Sequence, residues 1–329
     1  MKFIIRSYRN VYGGLSTESW LLAFITFINR SGMMVLPFLN LYLTESLHFS
    51  VTRAGIVLSL FGVGSMIGSF LGGWLTDRIG YFKVSLFSLV VGGVSFILLS
   101  QVRSFEALCI CMLLSSIIVE SLRPALSSSV AIFSKPENFT RSFSLLRMAI
   151  NLGASFGPAI GGLLAAASYT WLFIGDGATS IAAGIFFYFY FRSRSAHIVI
   201  KKDDNNADNK TPYTDIPFLV FILFCCLYAI LFFQIFTTLP LYYRNVHHLS
   251  EPNIGLLLAL NGIIVVFFEM AFVYTFEKKF PLPNIIITGV LLSGIAMIVL
   301  NFIKADWILY VSMILLSFSE ILAMPFMMT

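Results

Sequence analysis

The amino-acid sequence predicts an all-α integral membrane protein built as two helical bundles related by a parallel internal repeat, with about ten transmembrane helices present of an expected twelve. Hydrophobic residues make up 58% of the 329 residues and charged residues 11%. The apolar residues fall in runs of about 20, the length a helix needs to cross a hydrocarbon core of about 30 Å. Only helices and closed barrels satisfy their backbone in lipid, and runs this long and apolar are helices. Gly55, Leu58, Leu60, Gly62, Asp77 and Arg78 line up at one constant offset with Gly255, Leu258, Leu260, Gly262, Glu277 and Lys278, and Glu120 keeps that offset with Glu320.

Taken in order, the runs are centred near Phe27, Ser65, Gly92, Ser116, Ala154, Ala182, Leu231, Val265, Leu291 and Ile314. The first follows Ser16, Thr17 and Glu18, which are helix-start residues, and lacks a small-residue cleavage pattern, so it reads as a span and not as a secretory signal. The second and third flank a short charged turn at residues 76 to 83. The fourth and fifth form a hairpin turning near Pro136. After the sixth comes a polar stretch without periodicity, from Lys201-Lys202-Asp203-Asp204 to Lys210. The expected organisation is a six-helix bundle over residues 1–191, a linker over 192–214 and four further helices over 215–329. The repeat implies six helices in the second part as well, so equivalents of residues 130 to about 192 are expected beyond Thr329, in a chain of roughly 390 residues.

Lys2, Arg6, Arg9, Arg78, Lys83, Lys201, Lys202, Lys278 and Lys279 are among the basic residues on one side, whereas Arg53, Arg103, Arg244 and Lys304 lie on the other. The basic-rich side is expected to be cytoplasmic, with the amino terminus inside, in a plasma membrane, or an inner membrane if the source is bacterial. The net charge of +5 then reflects topology and implies no nucleic-acid partner. Cys109, Cys111, Cys225 and Cys226 sit inside spans without metal-ligand spacing, and His247 and His248 are expected in a solvated outer loop. No metal or cofactor is expected. The chain shows no nucleophile elbow or phosphate loop, so an enzyme is not expected.

Two motifs carry a resemblance. Gly73-x-x-x-Asp77-Arg78-x-Gly80-x-x-Lys83 resembles the signature between the second and third helices of the major facilitator superfamily. Gly153-x-x-x-Gly157-Pro158-x-x-Gly161-Gly162 in the fifth span resembles the antiporter motif of the proton-coupled drug exporters within it, and Arg30-Ser31-Gly32 with Pro37-Phe38-Leu39 is similar to that group too. The aspartate many of those exporters carry in the first helix is absent here. The resemblance implies a gating hinge in which Asp77 latches the halves against an eleventh helix. The residues themselves place Asp77 just past the carboxyl end of the second helix, where the dipole disfavours it and Arg78, Lys83 or a helix amino terminus is needed as partner. An ordinary solvated turn is the alternative. The fifth-span glycines put small surfaces on one face for a close crossing, with a bend permitted at Pro158, or they are generic packing.

Ionisable groups within spans are costly unless paired or watered. Here they are Arg30, Glu120, Arg123, Arg147, Asp176, Glu269 and Glu320. Matched depths on the fourth and fifth spans predict a cluster of Glu120, Arg123, Arg147 and Asn151. It is either a structural network or part of a site in which Glu120 and Glu320 face each other across a cavity as proton or cation acceptors. Glu320, with Ala323 and no arginine one turn on, is the better titrating candidate. Arg30 either binds an anionic group or pairs with an acidic residue. Phe27, Phe38 and Phe61 are aromatic candidates near the cavity. A parallel repeat of spanning bundles, with the motifs, implies a secondary transporter whose partners are the bilayer, a small-molecule solute and protons. The favoured expectation is proton-coupled export of small amphipathic solutes by rocking-bundle alternating access. Uptake by symport of an organic anion, sugar or peptide, and a transport-incompetent remnant or assembly subunit, remain as alternatives.

Overall fold

The computed structural model describes residues 14–135, 138–194, 215–276, 279–302 and 305–327. Among them are 10 helical stretches long and apolar enough to cross a membrane, and each contains one of the centres expected above. The linker from residue 195 to 214, the turn residue Pro136, and the hinge echo Glu277 and Lys278 lie outside the described residues.

The first span is broken. Helix α1 (Thr17–Ser31) stops at Gly32, and α2 (Val35–Leu41) continues into a π-helical turn at Tyr42–Ser46. Helices α3 (Val51–Ile79) and α4 (Tyr81–Leu99) follow. The fourth span bends between α5 (Phe105–Glu120) and α6 (Leu122–Phe133). Next come α7 (Phe139–Ala167), continuous through Pro158, and α8 (Thr170–Phe191). The seventh span is broken like the first, into α9 (Ile216–Phe232), α10 (Gln234–Thr237) and α11 (Leu239–His247). The last three spans are α12 (Glu251–Phe276), α13 (Leu282–Phe302) and α14 (Trp307–Met327).

Local chemistry sets these boundaries. Side chains of Ser16, Ser50, Ser104 and Asp215 accept from backbone N–H groups three residues on, satisfying donors that a helix start leaves free. Gly80 turns the chain between α3 and α4 at φ 85°, a conformation that only glycine adopts without strain. His48 and His248, a repeat pair not noticed in the sequence, both take left-handed backbone at φ 55° and φ 53°. The end of the molecule bearing Gly80 is called the hinge end below, and the end bearing His48 and His248 the far end.

At the far end one apolar core joins both halves of the sequence, with Val35, Phe38, Leu39 and Phe173 packed with Ile235, Leu239, Tyr243 and Ile254. Phe38 is therefore part of a closed core. Toward the hinge end the apolar clusters stay within one half: Leu22, Leu89, Leu126 and Phe187 in one, Ile285, Leu322 and Phe326 in another. The helical seam between the halves is α7 against α12, running antiparallel.

The fifth-span glycines present two faces, where one was expected. A Cβ on Gly153 would stand 2.6 Å from the Arg30 Cβ, and one on Gly157 2.8 Å from the Met33 carbonyl, so these two bed α7 on the first span, as Gly161 does against Met34. Gly162 faces α12 instead, where a Cβ would stand 2.5 Å from the Glu251 carbonyl. From the other side Gly255 abuts the Pro158 carbonyl, and a Cβ on Gly262 would stand 2.9 Å from the Ser155 Cβ. Residues 255, 262 and 269 are two turns apart, so one stripe of α12 meets Gly162, Pro158, Ser155 and Asn151 in turn. Replacing Gly255 by Leu is expected to cost about 1–3 kcal/mol through overpacking, read as a lowered melting temperature of the purified protein in detergent. Gly294→Ala, which meets nothing within 4 Å, should not lower it.

Candidate functional site

Apart from Glu120 and Arg123, the ionisable groups within and beside the spans sort into three sets. The first lies in the seam. Arg147 Nη2 on α7 stands 2.7 Å from Glu269 Oε1 on α12, and Asn151 Nδ2, one turn on, donates to Glu269 Oε2 at 3.0 Å. Both oxygens of one carboxylate are thus held by the opposite half. Beside them on α14, Glu320 accepts from Asn261 Nδ2 at 3.2 Å, and the same amide donates to Ser317 at 3.1 Å. Among the described residues Glu320 has no cation within ion-pair distance, and Glu269 and Arg147 are its charged neighbours.

This divides the expected four-residue cluster. Glu120 pairs within its own span with Arg123, at 2.8 Å, and the Arg123 side chain is 60% exposed. Arg147 and Asn151 turn away from that pair toward α12. The bend at Ser121 and the rotation of α7 about its axis decide facing, and neither is written in residue spacing. Glu120 and Glu320 accordingly do not meet. Each is engaged within its own half.

The second set surrounds the break in the first span. Arg30 is in the last turn of α1, where the carboxyl-end dipole favours a cation. Its described hydrogen-bond contact is to Met33 Sδ at 3.8 Å. Asp176 on α8, 9% exposed, accepts from the Val35 N–H at 3.4 Å, just beyond the break. Asn29 Nδ2 donates to Ser180 of the same helix at 2.7 Å. Asp176 therefore supplies a carboxylate beside the first span, whose own residues contain none at mid-depth.

The third set, at the far end, was missed in the sequence. Arg244 Nε lies 2.8 Å from Glu45 Oε1 and its Nη2 3.4 Å from Glu251 Oε1. The Tyr169 hydroxyl is 3.0 Å from Glu45 Oε2 and 3.3 Å from Glu251 Oε1. Asn40 Nδ2 adds a bond to the Thr237 carbonyl at 3.0 Å. Burial, and then the adjoining carboxylates, push the Tyr169 hydroxyl well above its ordinary range, so it remains a donor at any physiological pH. The hydrogen bond to Glu45 raises Arg244 in the same sense. Arg244 as one of few basic residues on its side was the available signal, but Glu45 and Tyr169 come from two distant segments and only Glu251 is near it in sequence.

The hinge residues lie apart from all three sets. Asp77 is inside the last turn of α3, not past it, because the helix runs on to Ile79. Asp77 and Lys83 are exposed, and among the described residues Asp77 makes no ion pair. Arg78 instead lies over the Trp74 ring at 4.0 Å. His247 is also corrected. Its side chain is 2% exposed, with Nδ1 3.1 Å from Asp306 Oδ1. No group of three metal-ligating side chains occurs among the described residues.

The profile described as Major Facilitator Superfamily matches residues 20–329. The chain belongs to this superfamily. It is 24% identical over 328 residues to a Na(+), Li(+), K(+)/H(+) antiporter of Planococcus maritimus, covering 90% of this chain and 77% of that protein. It is 26% identical over 310 residues to the quinolone resistance protein NorA of Staphylococcus aureus, covering 92% and 77%. In fold it is similar to the peptide transporter POT in complex with sulfate, at TM-score 0.73 and 19% identity over 95% of this chain and 82% of that one. A bacterial homolog of the human lysosomal transporter Spinster, inward-facing and unoccupied, superposes at TM-score 0.71 and 13% identity over 93% and 72%. The superfamily member described here is thus a membrane transporter and not an enzyme.

If the third set is what holds the far end shut, Arg244→Gln should expose buried Asn40 and its neighbours. A cysteine at position 40 is expected to react several-fold faster with a water-soluble maleimide in the Arg244→Gln background than without it. Tyr169→Phe, which removes one shared donor, should have a smaller effect.

Proposed function

We propose that this transporter couples inward proton movement to the export of small amphipathic solutes by rocking of two bundles, residues 1–191 and 215–329, about the seam of α7 and α12. Proton coupling rests chiefly on Glu320. It is a carboxylate in mid-span, hydrogen-bonded by a neutral amide, with no cation in ion-pair contact among the described residues. Such a group is costly while ionised and unwatered, and taking up a proton removes that cost. Opening toward water on one side and closing on the other would then load and release one proton per cycle.

Export is the direction favoured by the fifth-span glycine pattern and by two relatives whose names describe a cation/proton antiporter and a quinolone resistance protein. With the basic-rich hinge end in the cytoplasm of a plasma membrane, the far end, where one apolar core joins the halves, faces outward. Asp77, Arg78 and Lys83, exposed at the hinge end, fit a latch between the halves. Arg30 and Asp176, at the break in the first span, fit a place where solute is bound against half-helix ends.

Inside-out vesicles supplied externally with a fluorescent quinolone or a lipophilic dye provide the test. Energised wild-type vesicles should accumulate the probe in proportion to the pH gradient. Glu320→Gln should reduce the initial rate more than tenfold while the protein remains in the membrane, and undiminished pH-driven accumulation in that variant would remove Glu320 as the coupling group.

A further inference from the structure

Glu269 has no part in the mechanism above, yet it makes the one carboxylate contact that crosses the seam in mid-membrane among the described residues. Arg147 at 2.7 Å and Asn151 at 3.0 Å occupy its two oxygens, so α12 is held to α7 by a paired, charge-assisted grip. Glu320 lies alongside on α14, with both Arg147 and Glu269 as charged neighbours. One guanidinium is therefore paired with one carboxylate and is an electrostatic neighbour of a second. With both ionised the three groups carry a net charge of −1; with Glu320 protonated they are neutral. In lipid the neutral count is favoured, and a second ionised carboxylate nearby competes for the guanidinium.

We propose that Glu269 is a positioning residue that passes the protonation state of Glu320 to the seam between the halves, through competition for Arg147. A proton on Glu320 leaves Arg147 wholly to Glu269, and with Asn151 the grip of α7 on α12 is complete. Loss of that proton makes Glu320 a rival acceptor, draws the guanidinium toward α14 and loosens the hinge-end half of the seam. The far-end half does not depend on this exchange, because Gly162, Pro158, Gly255 and Gly262 hold it by backbone contact. The other groups near the pair are consistent with the exchange. Tyr228 on α9 is turned to Ser319 at 3.0 Å, α13 brings no ionisable side chain over residues 282–302, and Glu120 is committed to Arg123. The inference rests on the proton-coupled reading of Glu320, but its readout does not require transport.

Spin labels on Phe139→Cys and Lys279→Cys, both exposed at the hinge end, report the separation of α7 and α12 when Cys109, Cys111, Cys225 and Cys226 are replaced by serine. The full chain in lipid nanodiscs is measured by pulsed electron spin resonance from pH 5 to pH 9. The short-distance population should grow as pH falls in the parent, stay high at every pH in Glu320→Gln, and lose its pH dependence in Glu269→Gln. Glu269→Asp, which keeps the charge on a shorter stem, should retain the transition with a displaced midpoint and guards against a mere folding defect. A Glu269→Gln protein that keeps the parental transition, a Glu320→Gln protein that follows it, or an undisplaced midpoint in Glu269→Asp overturns the proposal. A distance change that depends on both glutamates, in a protein whose vesicles show no pH-driven probe accumulation, would remove the export reading and leave the exchange standing. Glu320-dependent accumulation with a distance change indifferent to Glu269 would do the reverse.

Discussion

The close approach of α7 and α12 is the constraint on which the rest of this molecule depends. Helices in lipid are not driven together by burial of apolar surface, since the tails are as apolar as leucine, and they associate through tight packing and interhelical polar contacts. Gly162 and Gly255 let the two backbones come together at the far end of the crossing, and Gly262 continues this against Ser155. Only because the helices meet there does the same stripe of α12 carry Glu269 to Arg147 and Asn151 two turns further on. Side chains larger by a few carbons at the glycines would part the polar groups that depend on them.

A second constraint is the cost of charge in hydrocarbon, which the chain meets by local pairing. Glu120 and Arg123 neutralise each other one turn apart, Glu269 is held by Arg147, and Arg30 and Asp176 each lie at an end of a broken first-span helix. Glu320 is the member of the set left to a neutral partner. The ionic group at the far end differs in kind. Its side chains lie near span ends, where water and salt screen them, and contacts of that sort are weak enough to be made and broken in a cycle. A firm seam in mid-membrane and a soft contact at one end suit a molecule whose halves rock.

The motifs in the sequence located helices and turns well and located partners badly. The Gly80 turn, the ten spans and the superfamily were all legible, because they depend on runs, spacing and single residues with special backbone freedom. The partners of Arg147 were not legible. Counting residues from the hairpin gave its depth, and depth is shared by every side chain around a helix. The fifth-span glycines show the same limit, since Gly161 and Gly162 are adjacent in sequence and serve opposite neighbours. Glu45, Tyr169 and Glu251 went unnoticed, and Arg244 counted only toward the charge of its side, because each lies near a span end, where a polar residue needs no explanation.

The sequence by itself determined the class, the number of spans present, the repeat and the inventory of charges that lipid would make expensive, since these follow from composition and one-dimensional order. Tertiary structure alone decided which of those charges meet. Rotation of a helix about its axis, a bend at Ser121 and a break at Gly32 each redirect a side chain by a large angle at almost no change in local sequence. The pairing of Glu269 with Arg147, the isolation of Glu320 and the placing of Asp176 beside the first span all rest on such rotations.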